Sequence, residues 1–69
     1  MTTEEKARSI LRQRDTRDLV DDFEATERVK RKEVPTVRGW IMDELERRDS
    51  GAFWAWMESD EASPRKYFI

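Results

Sequence analysis

The sequence predicts an all-α fold, a small three- to four-helix domain with an αα-hairpin at residues 35–59. Three observations carry that prediction. Apolar residues recur at helical spacing in successive segments of the chain. Helix-start signatures stand ahead of those segments: Thr2 with Glu5, Asp15-Thr16, Pro35 and Asp49-Ser50. Acid-then-base pairs four residues apart run through them, at Glu4/Arg8, Glu24/Arg28, Glu27/Arg31, Asp43/Arg47 and Glu44/Arg48. Each such pair stabilises a helix by about 0.2–0.5 kcal/mol.

Thr2 followed three residues later by Glu5 is a capping-box pattern, in which the hydroxyl accepts from the Glu5 backbone N–H and starts a first helix over residues 3–13. Its apolar stripe is thin, only Ala7, Ile10 and Leu11, so it is expected to pack on the rest of the domain rather than to organise it. Asp15 or Thr16 caps a second helix expected to run through about residue 31, with Leu19, Val20, Phe23 and Thr26 on one face. Pro35 favours a helix start, since its missing N–H costs nothing there, and it disfavours α geometry at Val34. The third helix, residues 35–48, spreads Val37, Trp40, Ile41, Met42 and Leu45 over so wide an arc that it is expected to be central. A fourth helix, capped by Asp49 or Ser50 and reaching about Ser59, turns Phe53, Trp56 and Met57 inward. The expected core is Phe23, Trp40, Ile41, Leu45, Phe53 and Trp56, with Trp40 and Trp56 meeting across the hairpin. Residues 1–59 thus form the domain, and residues 60–69, opening on Asp60-Glu61-Ala62-Ser63-Pro64, read as a C-terminal tail.

Composition bounds the chemistry. At 69 residues the chain has room for one domain at most, and so short a chain buries only about 60% of the surface it exposes when unfolded. Charged residues make up 43% and hydrophobic ones 36%, yet three Trp, three Phe and one Tyr exceed what a disordered polar segment carries. There is no cysteine or histidine, which removes disulfides, thiolate chemistry, the commonest general base and the commonest metal ligand. The expectation is therefore a non-enzymatic protein without a cofactor, a metal or catalytic residues. No apolar run approaches bilayer length and the N-terminus lacks a signal-peptide pattern, so a cytoplasmic setting without membrane contact is expected.

The candidate interaction residues fall into two groups. Arg28, Lys30, Arg31 and Lys32, with Arg38 as a further candidate, form the basic cluster, and a phosphate contact patch is one reading of it. The other, which the sequence favours, is that these cations complement the C-terminal end of the second helix while Asp18, Asp21 and Asp22 complement its start. The net charge of −2 supplies no global attraction for nucleic acid, and the outer face of the third helix mixes Asp43 and Glu46 with Arg38 and Arg47. Paired carboxylates such as Asp43/Glu46 and Asp21/Asp22 read as solvated faces rather than as an acid–base pair. The second group is aromatic. Trp54 lies about 100° from Phe53 on the fourth helix, at the edge of its inward face, where it is either a rim of the core or an interface anchor. The terminal Tyr67-Phe68-Ile69 either docks on the chain's own core or meets a partner.

The run Val37-Arg38-Gly39-Trp40-Ile41-Met42-Asp43-Glu44-Leu45-Glu46-Arg47-Arg48-Asp49, with Ala52-Phe53 and Trp56-Met57 after it, resembles a segment of small uncharacterised proteins carried by phages and other mobile elements of Gram-positive bacteria. The resemblance spans residues 37–57 and implies a genomic setting but no activity. The expected function is a binding or regulatory accessory of such an element, acting through a protein partner or self-association at Trp54, Tyr67, Phe68 and Ile69. A nucleic-acid-binding regulator using the basic cluster is the alternative.

Overall fold

A computed structural model describes residues 2–69 as five helices: α1 (Thr3–Gln13), α2 (Thr16–Thr26), α3 (Val34–Arg48), α4 (Ser50–Met57) and the single turn α5 (Arg65–Phe68). The fold is all-α, with no strand among the described residues. The first helix begins as its capping residue dictates, the Thr2 hydroxyl accepting from the Glu5 N–H at 3.1 Å. It stops at Gln13 because Arg14 and Asp15 are extended, and this sharp break turns α2 back along α3. Only Leu11 of the first stripe enters the core, while Ile10 is left 60% exposed.

The second helix ends at Thr26, five residues earlier than the sequence predicts. Two physical causes act together. Past Phe23 the chain has nothing to bury, since residues 27–33 are all exposed, and four cations in the five positions 28–32 repel one another when wound into one helix end. The Thr26 hydroxyl instead donates to the Phe23 carbonyl at 2.6 Å, and the Glu27, Arg28 and Val29 amides bond three residues back, unwinding α2 into a tight turn. The expected Glu24–Arg28 and Glu27–Arg31 pairs consequently do not form. The third helix starts one residue before Pro35, at Val34.

α3 is the central element, packing against α1, α2 and α4. The core consists of Leu11, Leu19, Phe23, Ile41, Leu45, Phe53 and Trp56, with Val37, Trp40, Met42, Tyr67 and Phe68 partly buried against it. Phe23 meets the edge of Trp56 at 5.2 Å between ring centroids, and Phe53 meets Trp56 at 6.0 Å. The aromatic partners of Trp56 are thus Phe23 and Phe53, and the expected pairing of Trp56 with Trp40 is replaced by these. Trp40 is half-buried on the side of α3 that faces α1, beside Leu11, Arg8 and Arg12. Met57, expected inside, is 37% exposed, because Phe53 and Trp56 already fill the inner face of so short a helix.

Residues 60–69 do not trail away. Pro64 is fully buried, and α5 packs against α2 and α4. With this segment folded in, the radius of gyration is 11.8 Å, close to the ~11 Å of a compact chain of this length. The shortest dimension, 17 Å, is under two helix diameters of about 10 Å each, so the core is a single layer of side chains between two layers of helix.

Gly39 lies in the interior of α3, where a methyl group would have no atom within 4 Å. A mid-helix glycine costs about 0.5–1 kcal/mol relative to alanine. Gly39→Ala should therefore raise the unfolding free energy by about that amount in chemical denaturation; a loss of stability would show that the helix surface is more crowded at this position than its geometry indicates.

Candidate interaction surfaces

The charged residues sort into those that hold the helices together and those that do not. Glu44, only 7% exposed, accepts from Arg47 Nη2 at 2.6 Å and from Arg48 Nε at 2.8 Å. These contacts, led by Arg47, hold its carboxyl below the usual carboxylate range although burial works in the other direction. Arg48 then reaches across to α1, donating to the Leu11 carbonyl at 3.0 Å and the Arg12 carbonyl at 3.1 Å. It also donates to the Thr16 hydroxyl at 3.2 Å. One guanidinium thus bonds two carbonyls of the α1 C-terminus, that of Leu11, which also accepts from the Arg14 amide at 3.2 Å, and that of Arg12. Arg8 joins Asp43 at 3.1 Å and Glu4 at 3.0 Å, and Arg14 joins Asp22 at 2.7 Å. Of the carboxylates read from the sequence as solvated faces, Asp21, Asp22 and Asp43 are each taken by an arginine from another segment, while Glu46 makes no ion pair among the described residues. A cleft of about 70 Å³ between α1 and α3 is lined by Trp40 with Arg8, Arg12, Asp43, Glu44 and Arg47.

The C-terminal segment is fastened by a second network. Ser63 Oγ donates to Glu24 at 2.6 Å, and Arg65 grips the same carboxylate with Nε at 3.0 Å and Nη2 at 2.7 Å while also bridging to Asp21. Arg65 first and Ser63 second push the Glu24 pKa down to about 2 from an ordinary 4.5. The indole N–H of Trp56 donates to the Glu61 carbonyl at 3.0 Å, so the chain after α4 is tied to the core before α5 begins. Tyr67 and Phe68 lie half-buried against the core, whereas Ile69 is 52% exposed. A signal for α5 was present in the sequence as Ser63-Pro64: Pro64 stands at the N-cap, and the Ser63 Oγ ahead of it accepts from the Arg65 amide at 3.2 Å. Nothing in the sequence pairs Arg65 with Glu24, 41 positions away.

Two surfaces remain outside these networks. On α4 the Asp49 side chain accepts from the Ala52 amide at 3.0 Å and sets the helix so that Phe53 and Trp56 point inward. Trp54 then projects outward, 54% exposed, touching only the edge of Phe53 among the aromatics at 5.3 Å. Met57, three residues on, lies on the same side. The second surface is the turn after α2, where Arg28, Lys30, Arg31 and Lys32 are all exposed and without an ion-pair partner among the described residues. Because α2 stops at Thr26, these cations lie just beyond its C-terminal end, in the turn that follows, rather than in its last turn. Arg38, grouped with them by sequence, is engaged elsewhere: its guanidinium lies 4.2 Å above the Phe23 ring and donates to Thr26 Oγ1 at 3.0 Å.

No family model matches the chain, and neither a curated protein nor a solved structure matches it significantly. No helix is long and apolar enough to cross a membrane among the described residues.

The depressed pKa of Glu24 makes the tail contact pH-dependent with a fixed sign. A carboxylate held below its unfolded value contributes stability that is present above about 4.5 and is lost as the pH falls through about 2. Glu24→Gln should be less stable than the parent chain near neutrality, with the difference shrinking across that window and absent below it. A difference that stays constant through acid would mean that Glu24 acts by packing and not by charge.

Proposed function

We propose that the chain is a small binding and regulatory accessory protein that acts through protein–protein contacts, with the outward face of α4 as its contact surface. The observation that carries this reading is Trp54. In a domain with so few large apolar side chains, an indole left half-exposed beside an exposed Met57 is a loss for the isolated chain and a gain only for one whose surface is covered. Ile69 is a further exposed apolar side chain at the C-terminus, while Tyr67 and Phe68 pack on the core. The resemblance of residues 37–57 to proteins of phages and mobile elements supplies the setting within this proposal, together with a cytoplasmic location. The reading requires no catalytic residue, cofactor or metal.

A tryptophan anchor of this kind contributes about 2 kcal/mol or more to an interface, roughly a 30-fold change in affinity. Trp54→Ser should therefore leave the melting temperature nearly unchanged while removing a bound partner, measured by comparative capture with parent and variant protein from cells carrying the element. Identical partner sets on both would contradict the assignment of the surface.

The free cations after α2 favour a second reading, a weak nucleic-acid contact, since unpaired exposed Arg and Lys are what a phosphate backbone recruits. Glu27 and Glu33 flank them and the chain is net negative, which works against it. Any association with duplex DNA is expected to disappear as salt rises towards physiological strength. Retention at that strength, abolished by Lys30→Glu with Arg31→Glu, would establish the nucleic-acid reading instead.

A further inference from the structure

The region around Trp54 carries a charge pattern of its own. Glu58, Asp60 and Glu61 follow directly on α4, are all exposed, and have no ion-pair partner among the described residues. The Glu58 amide donates to the Trp54 carbonyl at 3.0 Å, which sets this acidic segment one turn above the exposed indole. Acids at a helix C-terminus oppose the macrodipole, and no basic residue stands in the last turn of α4 to offset them. The placement is unfavourable within one chain. The turn after α2 is the converse: four free cations around Val29, itself 42% exposed.

We propose that the partner of the α4 surface is a second copy of this chain, arranged so that the acidic segment 58–61 and Trp54 of each copy meet the basic turn 28–32 and Val29 of the other. The inference rests on the assignment of the α4 face as the contact surface and adds the occupant. A two-fold axis makes the contact twice, since an acidic patch and a basic patch on one chain are mutually satisfied when each faces its opposite on the partner. The arrangement covers Trp54 and Val29 and sets three acids that have no ion-pair partner within one chain against four cations in the same position. It also accounts for the acids at the wrong end of α4, whose cations come from outside. Net charge near zero permits such a homodimer, and salt weakens it, because its complementarity is carried by charges at the rim.

Sedimentation analysis of the full chain over a concentration series tests this with two charge-reversed forms, Lys30→Glu with Arg31→Glu and Glu58→Lys with Glu61→Lys. All four substitutions are at exposed positions, and thermal melting confirms that each form is folded. The parent chain is expected to dimerise, more weakly as salt is raised, and each reversed form alone to dimerise at least about tenfold more weakly. An equimolar mixture of the two should dimerise several-fold more tightly than either form alone, because the intact acidic segment of one form again meets the intact basic turn of the other. A parent chain that stays monomeric at every concentration, or reversed forms that dimerise as the parent does, overturns the proposal. Failure of the inference and failure of the surface assignment separate through Trp54→Ser. A monomeric parent that still captures a different protein through Trp54 removes the second copy and keeps the surface. Dimers that survive Trp54→Ser unchanged remove both. If the basic-turn variant instead loses retention on DNA at physiological salt with self-association unaltered, the turn serves nucleic acid and the proposal is wrong.

Discussion

The Phe23 ring is held between the edge of Trp56 and the guanidinium of Arg38, and the rest of the fold hangs on that contact. It joins α2 to α4 through an edge-to-face aromatic pair and α2 to α3 through a cation lying 4.2 Å over the ring. Trp56 extends the linkage, since its indole N–H holds the Glu61 carbonyl and so fixes where the chain goes before Pro64 is buried. A chain of this length has a stability of only a few kcal/mol, and burial of one large aromatic side chain is worth about 1.5–3 kcal/mol.

Charge does the remaining work of orientation. With 43% of residues charged, the helices cannot be joined by apolar faces alone. The pairs that matter structurally link different elements: Arg48 closes the end of α1, and Arg65 holds Glu24 and Asp21 of α2. The i,i+4 pairs are minor beside these. Glu44 illustrates why a nearly buried carboxylate is tolerated at all: two arginines satisfy it, and one of them is anchored on the neighbouring helix. Exposed pairs such as Arg8 with Glu4 contribute little by comparison.

Local signals were legible and non-local ones were not. Thr2, Pro35 and Asp49 marked helix starts because capping is decided within four residues, and the extents of α1 and α3 followed to within one residue. Phe23, Ile41, Leu45, Phe53 and Trp56 were readable as core from their periodicity. The end of α2 was misplaced because propensity and i,i+4 pairing favoured continuation, whereas the absence of any surface to pack residues 27–33 against decided it. Trp40 was read as central because of its size, but the shape of the core placed it towards α1, where the smaller Leu11 leaves its ring partly open. At the candidate surfaces, sequence singled out Trp54 and the cations of residues 28–32. It could not show that Glu24, the i,i+4 partner of Arg28, is taken by Arg65 from a segment read as a tail, which leaves that cation free.

Cooperativity through one ring separates this fold from a loose bundle of four amphipathic helices. Native-state amide hydrogen exchange of Phe23→Leu against the parent chain measures it most directly. The substitution keeps an apolar side chain but removes the aromatic edge and the face beneath Arg38, a cost of about 1–2 kcal/mol. Amides of α2, α3 and α4 should lose protection by the same free energy, since all open in a single event. Loss confined to α2, with the amides of α4 protected as before, would contradict it.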